Sequence, residues 1–217
     1  GFNFFITIDG TSHEVFLKGI VGKTYIYPLL AAAAVARAQD ISVDHIIKSI
    51  PTYDAPKSRM NLIYGMNESA LIDDTYNSSP DAAEAALDTL KDIHTTGSKI
   101  AVLGDMMELG QYASEEHRKV GKKAAEVATV LVTVGQRSRA TADEAIACNM
   151  APGNVHSFDT ATEAGEYLKP FIKKGDVVLI KGSQSVRLER TVETLMADPS
   201  RAKDLLVRQE KEWLEKK

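Results

Sequence analysis

Between residues 70 and 197 five short β-branched runs alternate with five segments of helical character, and few folds accommodate that pattern. The runs lie at 70–73, 99–103, 130–134, 155–158 and 177–180, and the helical segments at 81–94, 114–127, 139–147, 161–173 and 186–197. Strands that each lead into a helix of this length predict βαβ crossovers and a mainly parallel sheet. The fold class is therefore α/β, doubly wound.

The residues before this block read differently. Two strand-like runs, 2–8 and 12–18, flank Asp9-Gly10, a dipeptide that readily supplies the positive φ angles of a tight hairpin turn. An alanine-rich stretch from Tyr25 to Gln39 favours a helix, with Pro28 tolerable near its first turn, and Ser42 is placed to cap a second short helix through Ser49. This opening block is too small to fold alone. Residues 51–57, with two prolines, read as a linker, so the expected division is 1–56, 57–198 and a tail, 199–217. In the tail Leu205, Leu206, Trp213 and Leu214 stand among charges, which predicts a C-terminal helix over 201–217 docked by its apolar side.

Charge and composition exclude several functions. With 26 Lys and Arg against 30 Asp and Glu, the net charge of −4 argues against holding nucleic acid by phosphate neutralisation. The longest apolar run, 29–36, is far short of the roughly 20 residues of a membrane-spanning helix. One cysteine, Cys148, permits no internal disulfide, and Gly1-Phe2-Asn3-Phe4 lacks a signal-peptide pattern, so a reducing cytoplasm is the expected compartment. The five histidines show no zinc spacing, which leaves no expected metal ligand. Gly19-Ile20-Val21-Gly22-Lys23-Thr24 ends like a phosphate-binding P-loop, but Leu17 stands where the pattern wants its first glycine, and Pro28 falls inside the helix it must start.

In parallel sheets ligands bind beyond the carboxyl ends of the strands, and three such ends carry chemistry. The first reads Ile72-Asp73-Asp74-Thr75-Tyr76-Asn77-Ser78-Ser79-Pro80-Asp81, with carboxylates, an aromatic ring, an amide and hydroxyls before a helix start. That composition suits an anion at free N–H groups with a carboxylate accepting from a ribose, and it equally suits a well-capped helix. The second, Val102-Leu103-Gly104-Asp105-Met106-Met107-Glu108-Leu109-Gly110, brackets acids and methionines with glycines, as a ligand loop or a plain connection would. The third, Lys181-Gly182-Ser183-Gln184-Ser185 with Arg187-Leu188-Glu189, sets a lysine, a glycine turn and hydroxyls at a helix start. It is competent for a carboxylate or phosphate.

These three segments in this order, with Arg59-Met60 ahead of them and His117 after the second, resemble the C-terminal part of the Mur ligases. The resemblance is strongest to members that join D-alanyl-D-alanine to a UDP-N-acetylmuramoyl-tripeptide. It covers about residues 15–197 and implies the end of a central ATPase domain followed by a Rossmann-like C-terminal domain. In that family ATP activates a carboxylate as an acyl phosphate, which the amine of the incoming substrate attacks. ATP and Mg2+ are implied as cofactors, bound mainly by residues upstream of this chain, and a monomer is implied. Carried over by position, Arg59 would approach the ATP phosphates, Asp74 the ribose, and Tyr76 and Asn77 the nucleotide. Lys181 and Ser183 would face the incoming substrate, with Asp105 and Glu108 in the loop beside it. Thr24-Tyr25, Pro28, Ser78-Ser79 and Gln184-Ser185 depart from the residues common there. The residues in hand predict that the chain alone neither hydrolyses ATP nor forms an amide. Two alternatives are another Mur-type ligase and a non-catalytic module that binds a small acid.

Overall fold

A computed structural model describes residues 1–215; the last two residues of the expected tail helix lie outside the described residues. The chain divides into two compact units, Gly1–Pro56 and Lys57–Lys217. The first holds an antiparallel hairpin of β1 (Phe2–Ile8) and β2 (Thr11–Leu17), turned at Asp9 and Gly10 with φ of 49° and 80°. Positive φ at both central residues matches the right-handed twist of the strands. Helices α1 (Ile26–Ala38) and α2 (Val43–Ser49) follow, and the Ser42 side chain accepts from His45 N to cap α2. Ile20 and Val21, inside the P-loop-like stretch, are buried as core residues of this unit.

The second unit is built on a six-stranded sheet of order β3-β4-β8-β5-β6-β7. Its strands are β3 (Asn61–Tyr64), β4 (Ala70–Asp74), β5 (Lys99–Gly104), β6 (Val130–Val134), β7 (Val155–Phe158) and β8 (Val177–Lys181). All neighbours run parallel except β3, which pairs antiparallel with β4. Helices α3 (Pro80–Asp92), α4 (Ala113–Val127) and α5 (Arg139–Ala147) pack side by side on one face; α6 (Ala161–Leu168) and α7 (Glu189–Leu195) pair on the other. Alternate strand residues serve the two faces. Ile100, Val102, Val132, Val134, Val178 and Ile180 join α6 and α7 in one core, each contributing about 1.5–3 kcal/mol relative to exposure. Because β8 returns between β4 and β5 while its following helix crosses to the other face, the winding reverses there, which opens a crevice at the carboxyl ends of these three strands.

Three expected elements are corrected. Strand β3 was not anticipated: it is four residues long and pairs at the sheet edge. The helix expected over 161–173 ends at Leu168, since Pro170 cannot continue it. The tail is two short helices, α8 (Ala202–Leu205) and α9 (Lys211–Leu214), rather than one. Ala202 and Leu206 dock into the core, whereas Leu214 is exposed and Arg208 breaks the run with φ of 58°.

Candidate functional site

The last rung of the β4–β8 ladder pairs Asp74 with Lys181, so their side chains share a face. Lys181 Nζ donates to Asp74 Oδ2 at 2.6 Å and to Asn77 O at 2.9 Å, and the lysine is only 3% exposed. Asp73, one residue earlier, points to the opposite face. Its carboxylate accepts from Ser58 Oγ at 2.7 Å and from Thr75 N and Oγ1. Burial pushes the Asp73 carboxyl up from 3.8 to about 6, against the pull of the Thr75 and Ser58 hydrogen bonds and with a further push from the charge of Asp74.

Both carboxylates converge on one turn. Asp73 holds Ser58 as above, while Asp74 Oδ1 accepts from Met60 N. Ser58 and Met60 have left-handed φ of 57° and 52°, a conformation costing roughly 1–2 kcal/mol for a residue with a Cβ. The two acids, reaching from opposite faces of β4, offset that strain and hold Arg59 at the apex between them. The Arg59 guanidinium lies 4.1 Å from the centre of the Tyr76 ring, and Tyr76 N donates to Ser58 O. Four residues expected at the nucleotide thus form one assembly: Arg59 and Tyr76 stacked outside, Asp74 and the Asn77 carbonyl bound to Lys181 beneath.

The ends of β5 and β8 are laced together next to it. Ser183 N donates to Asp105 O, and Met107 N to Ser183 Oγ, both at 3.0 Å. Gly104 and Gly182 permit this approach: a Cβ on Gly182 would lie 2.8 Å from Leu188 Cδ1 and 3.1 Å from Gly104 Cα. The next turn is tied in as well, since Asp105 Oδ1 accepts from Ser138 N at 2.7 Å. His117 is buried and accepts from Met106 N at Nε2, while Nδ1 lies 2.6 Å from Ala113 O, a pairing that needs the proton on Nδ1. Beyond these loops opens a cleft of about 500 Å³ lined by Met107, Gly135, Arg137, Asp159, Arg187 and Arg190.

Lys181, expected to face the incoming substrate, donates its ammonium to Asp74 and to Asn77 O, because the β4–β8 register sets the two charges side by side. Asp105 and Ser183 build the loop wall, and Glu108 is exposed in the same loop with φ of 65°. Residues not anticipated are the pinned flank Ser58, the cleft cation Arg137, and the tail arginine Arg208, while Met60 was singled out only as the neighbour of Arg59. Apart from Arg59-Met60, only the adjacent acids Asp73-Asp74 and the segment Arg187-Leu188-Glu189 carried a sequence signal for any of these.

The sequence model of the Mur ligase, glutamate ligase domain, matches residues 58–184. This chain belongs to the Mur ligase family. Among curated Mur ligases, the UDP-N-acetylmuramoyl-tripeptide–D-alanyl-D-alanine ligase of Bacillus subtilis is 27% identical over 194 residues, 89% of this chain and 42% of that protein. The enzyme of the same name from Escherichia coli is 31% identical, over 82% of this chain and 38% of its own. Among solved Mur ligase structures, MurF from Acinetobacter baumannii superposes with a TM-score of 0.77 at 29% identity, over 90% of this chain and 42% of that one. The MurF ligase from Thermotoga maritima in complex with ADP gives 0.72 at 26% identity, over 85% and 40%. The chain spans about two fifths of the length of these relatives. The doubly wound fold expected of a Mur ligase C-terminal domain is the one observed.

Proposed function

We propose that this chain supplies the substrate-positioning C-terminal domain of an ATP-dependent ligase that joins D-alanyl-D-alanine to a UDP-N-acetylmuramoyl-tripeptide in peptidoglycan precursor synthesis. The observation that carries the reading is Arg59, a cation raised on a strained turn that two carboxylates hold in place. Strain kept by dedicated hydrogen bonds at the two residues that flank a cation, Ser58 and Met60, points to a functional position.

Amide formation from a carboxylate at neutral pH needs activation, and bound ATP supplies it by phosphorylating that carboxylate. This chain's residues would do the rest. Arg59 neutralises phosphate charge, while Tyr76 holds the guanidinium in place and Asn77 and Asp74 fix the turn behind it. Mg2+ would accompany the phosphates; among the described residues no group of three or more His, Cys, Asp or Glu is gathered to hold a metal. On the acceptor side Lys181 keeps Asp74 in register, Asp105 and Ser183 form the wall, and Glu108 stands at the loop surface. In the cleft, Arg137 is suited to the dipeptide carboxylate, which leaves its amine to be aimed at the activated carbon. No helix among the described residues is long and apolar enough to cross a membrane. We read the protein as a monomer.

Steady-state ADP release by the complete gene product tests the proposal. Release should require both the muramoyl tripeptide and D-alanyl-D-alanine, and Arg59→Ala should lower turnover on the order of 100-fold. Release that ignores either substrate, or an Arg59→Ala variant with unchanged kinetics, refutes it.

A further inference from the structure

The tail carries a group that the family resemblance did not reach. Leu206, anchored in the core at 1% exposure, is followed two residues later by Arg208, whose left-handed backbone turns its guanidinium inward. That side chain is 6% exposed and spans three parts of the unit. Its Nη1 donates to Glu189 Oε2 on α7 at 3.1 Å and to Thr75 O at 3.2 Å, and its Nη2 donates to Tyr76 O at 2.7 Å. Glu189 is fully buried and shared with Arg187, whose Nη1 in turn donates to Trp213 O. Both guanidiniums lie over the Trp213 ring, 5.2 Å and 5.8 Å from its centre.

We propose that Arg208 is a positioning residue: it straps the tail across the Thr75–Tyr76 turn and thereby sets the ring on which Arg59 rests. The two carbonyls it holds belong to the residues that lead from Asp74 to the Tyr76 side chain, and a planar fork with several donors fixes both at once. Lysine, a point charge, could keep Glu189 but not both carbonyls. Glu189 retains Arg187 when Arg208 is replaced, so removing the strap does not strand a buried carboxylate.

The inference rests on the nucleotide reading of Arg59 and Tyr76, and the experiment separates the two. In this chain, Arg208→Met should speed hydrogen exchange at residues 75–77 about tenfold or more, with β8 unchanged and Arg208→Lys intermediate. In the complete gene product Arg208→Met should lower turnover at saturating ATP by a similar factor, in the same direction as Arg59→Ala, with KM for D-alanyl-D-alanine held within twofold. Unchanged exchange at 75–77 overturns the strap. A uniform rise across β4, β5 and β8 also overturns it, because Arg208 would then only stabilise the fold. Faster local exchange with unaltered turnover overturns the positioning role: if Arg59→Ala remains impaired the nucleotide reading stands without it, and if Arg59→Ala is also unaffected both fall.

Discussion

The Asp74–Lys181 pair offers a quantitative test of how this site is held. The two side chains are 12% and 3% exposed with the charges 2.6 Å apart, so neither can turn to bulk water when its partner is removed. Breaking a buried pair from one side costs about 3–5 kcal/mol. The expected loss for Lys181→Met is therefore about 3–5 kcal/mol, and that for Asp74→Asn, which strands a buried ammonium with Asn77 O, is about 3 kcal/mol. Removing both charges should cost only about 1–3 kcal/mol, so the coupling energy should be about 3 kcal/mol or more. Urea unfolding followed by Trp213 fluorescence reports on this unit, because that residue is the only tryptophan of the chain. Single losses below about 1 kcal/mol that add within about 0.5 kcal/mol would mean a solvated pair, and the argument that Lys181 is structural would be wrong.

The remaining predictions concern three further features. The folded value of Asp73 lies above its ordinary 3.8, at about 6, so the folded state binds more protons in that window and stability falls as pH rises through it, by about 3 kcal/mol in all. Asp73→Asn should flatten that slope between pH 4 and 7 in urea titrations, and an unchanged slope would refute the assignment. Gly182→Ala should cost about 1–3 kcal/mol in the same assay, because the added methyl meets Gly104 and Leu188; a neutral result would deny the close approach of β5 and β8. Arg137→Ala in the complete gene product should raise KM for D-alanyl-D-alanine by roughly tenfold or more and leave KM for ATP alone, and the reverse pattern would move the dipeptide out of the cleft.

What the sequence disclosed follows from how far each interaction reaches along the chain. Five parallel strands were legible because their β-branched runs are local and buried, and Asp9-Gly10 and Ser42 act within four residues of themselves. Strand β3 was not, since Asn61–Tyr64 shows no alternation and exists by pairing with β4. The tail was misread for a related reason: its apolar spacing fits a helix, and the distant carboxylate of Glu189 draws Arg208 inward and interrupts it. Strand ends located the candidate site, but not which acids face a ligand. That depends on strand order: only once β8 lies beside β4 does Lys181 fall opposite Asp74.

The same geometry explains why the acids are spent on framework while Arg59 stands at the apex of the turn. A long cation loses side-chain freedom worth about 2 kcal/mol when it is ordered on an anion. Here the Tyr76 ring already restrains the Arg59 guanidinium, and the Ser58–Met60 turn is fixed from both faces of β4 by Asp73 and Asp74. On the proposed nucleotide reading, much of the ordering would be complete before ATP arrives, and a larger share of the attraction to phosphate would remain for binding and for the transition state. Had the carboxylates themselves been aimed at the ligand, they would have repelled that charge. Turned inward against Ser58, Thr75, Met60 and Lys181, they hold the cation in place while their own charges are met by donors.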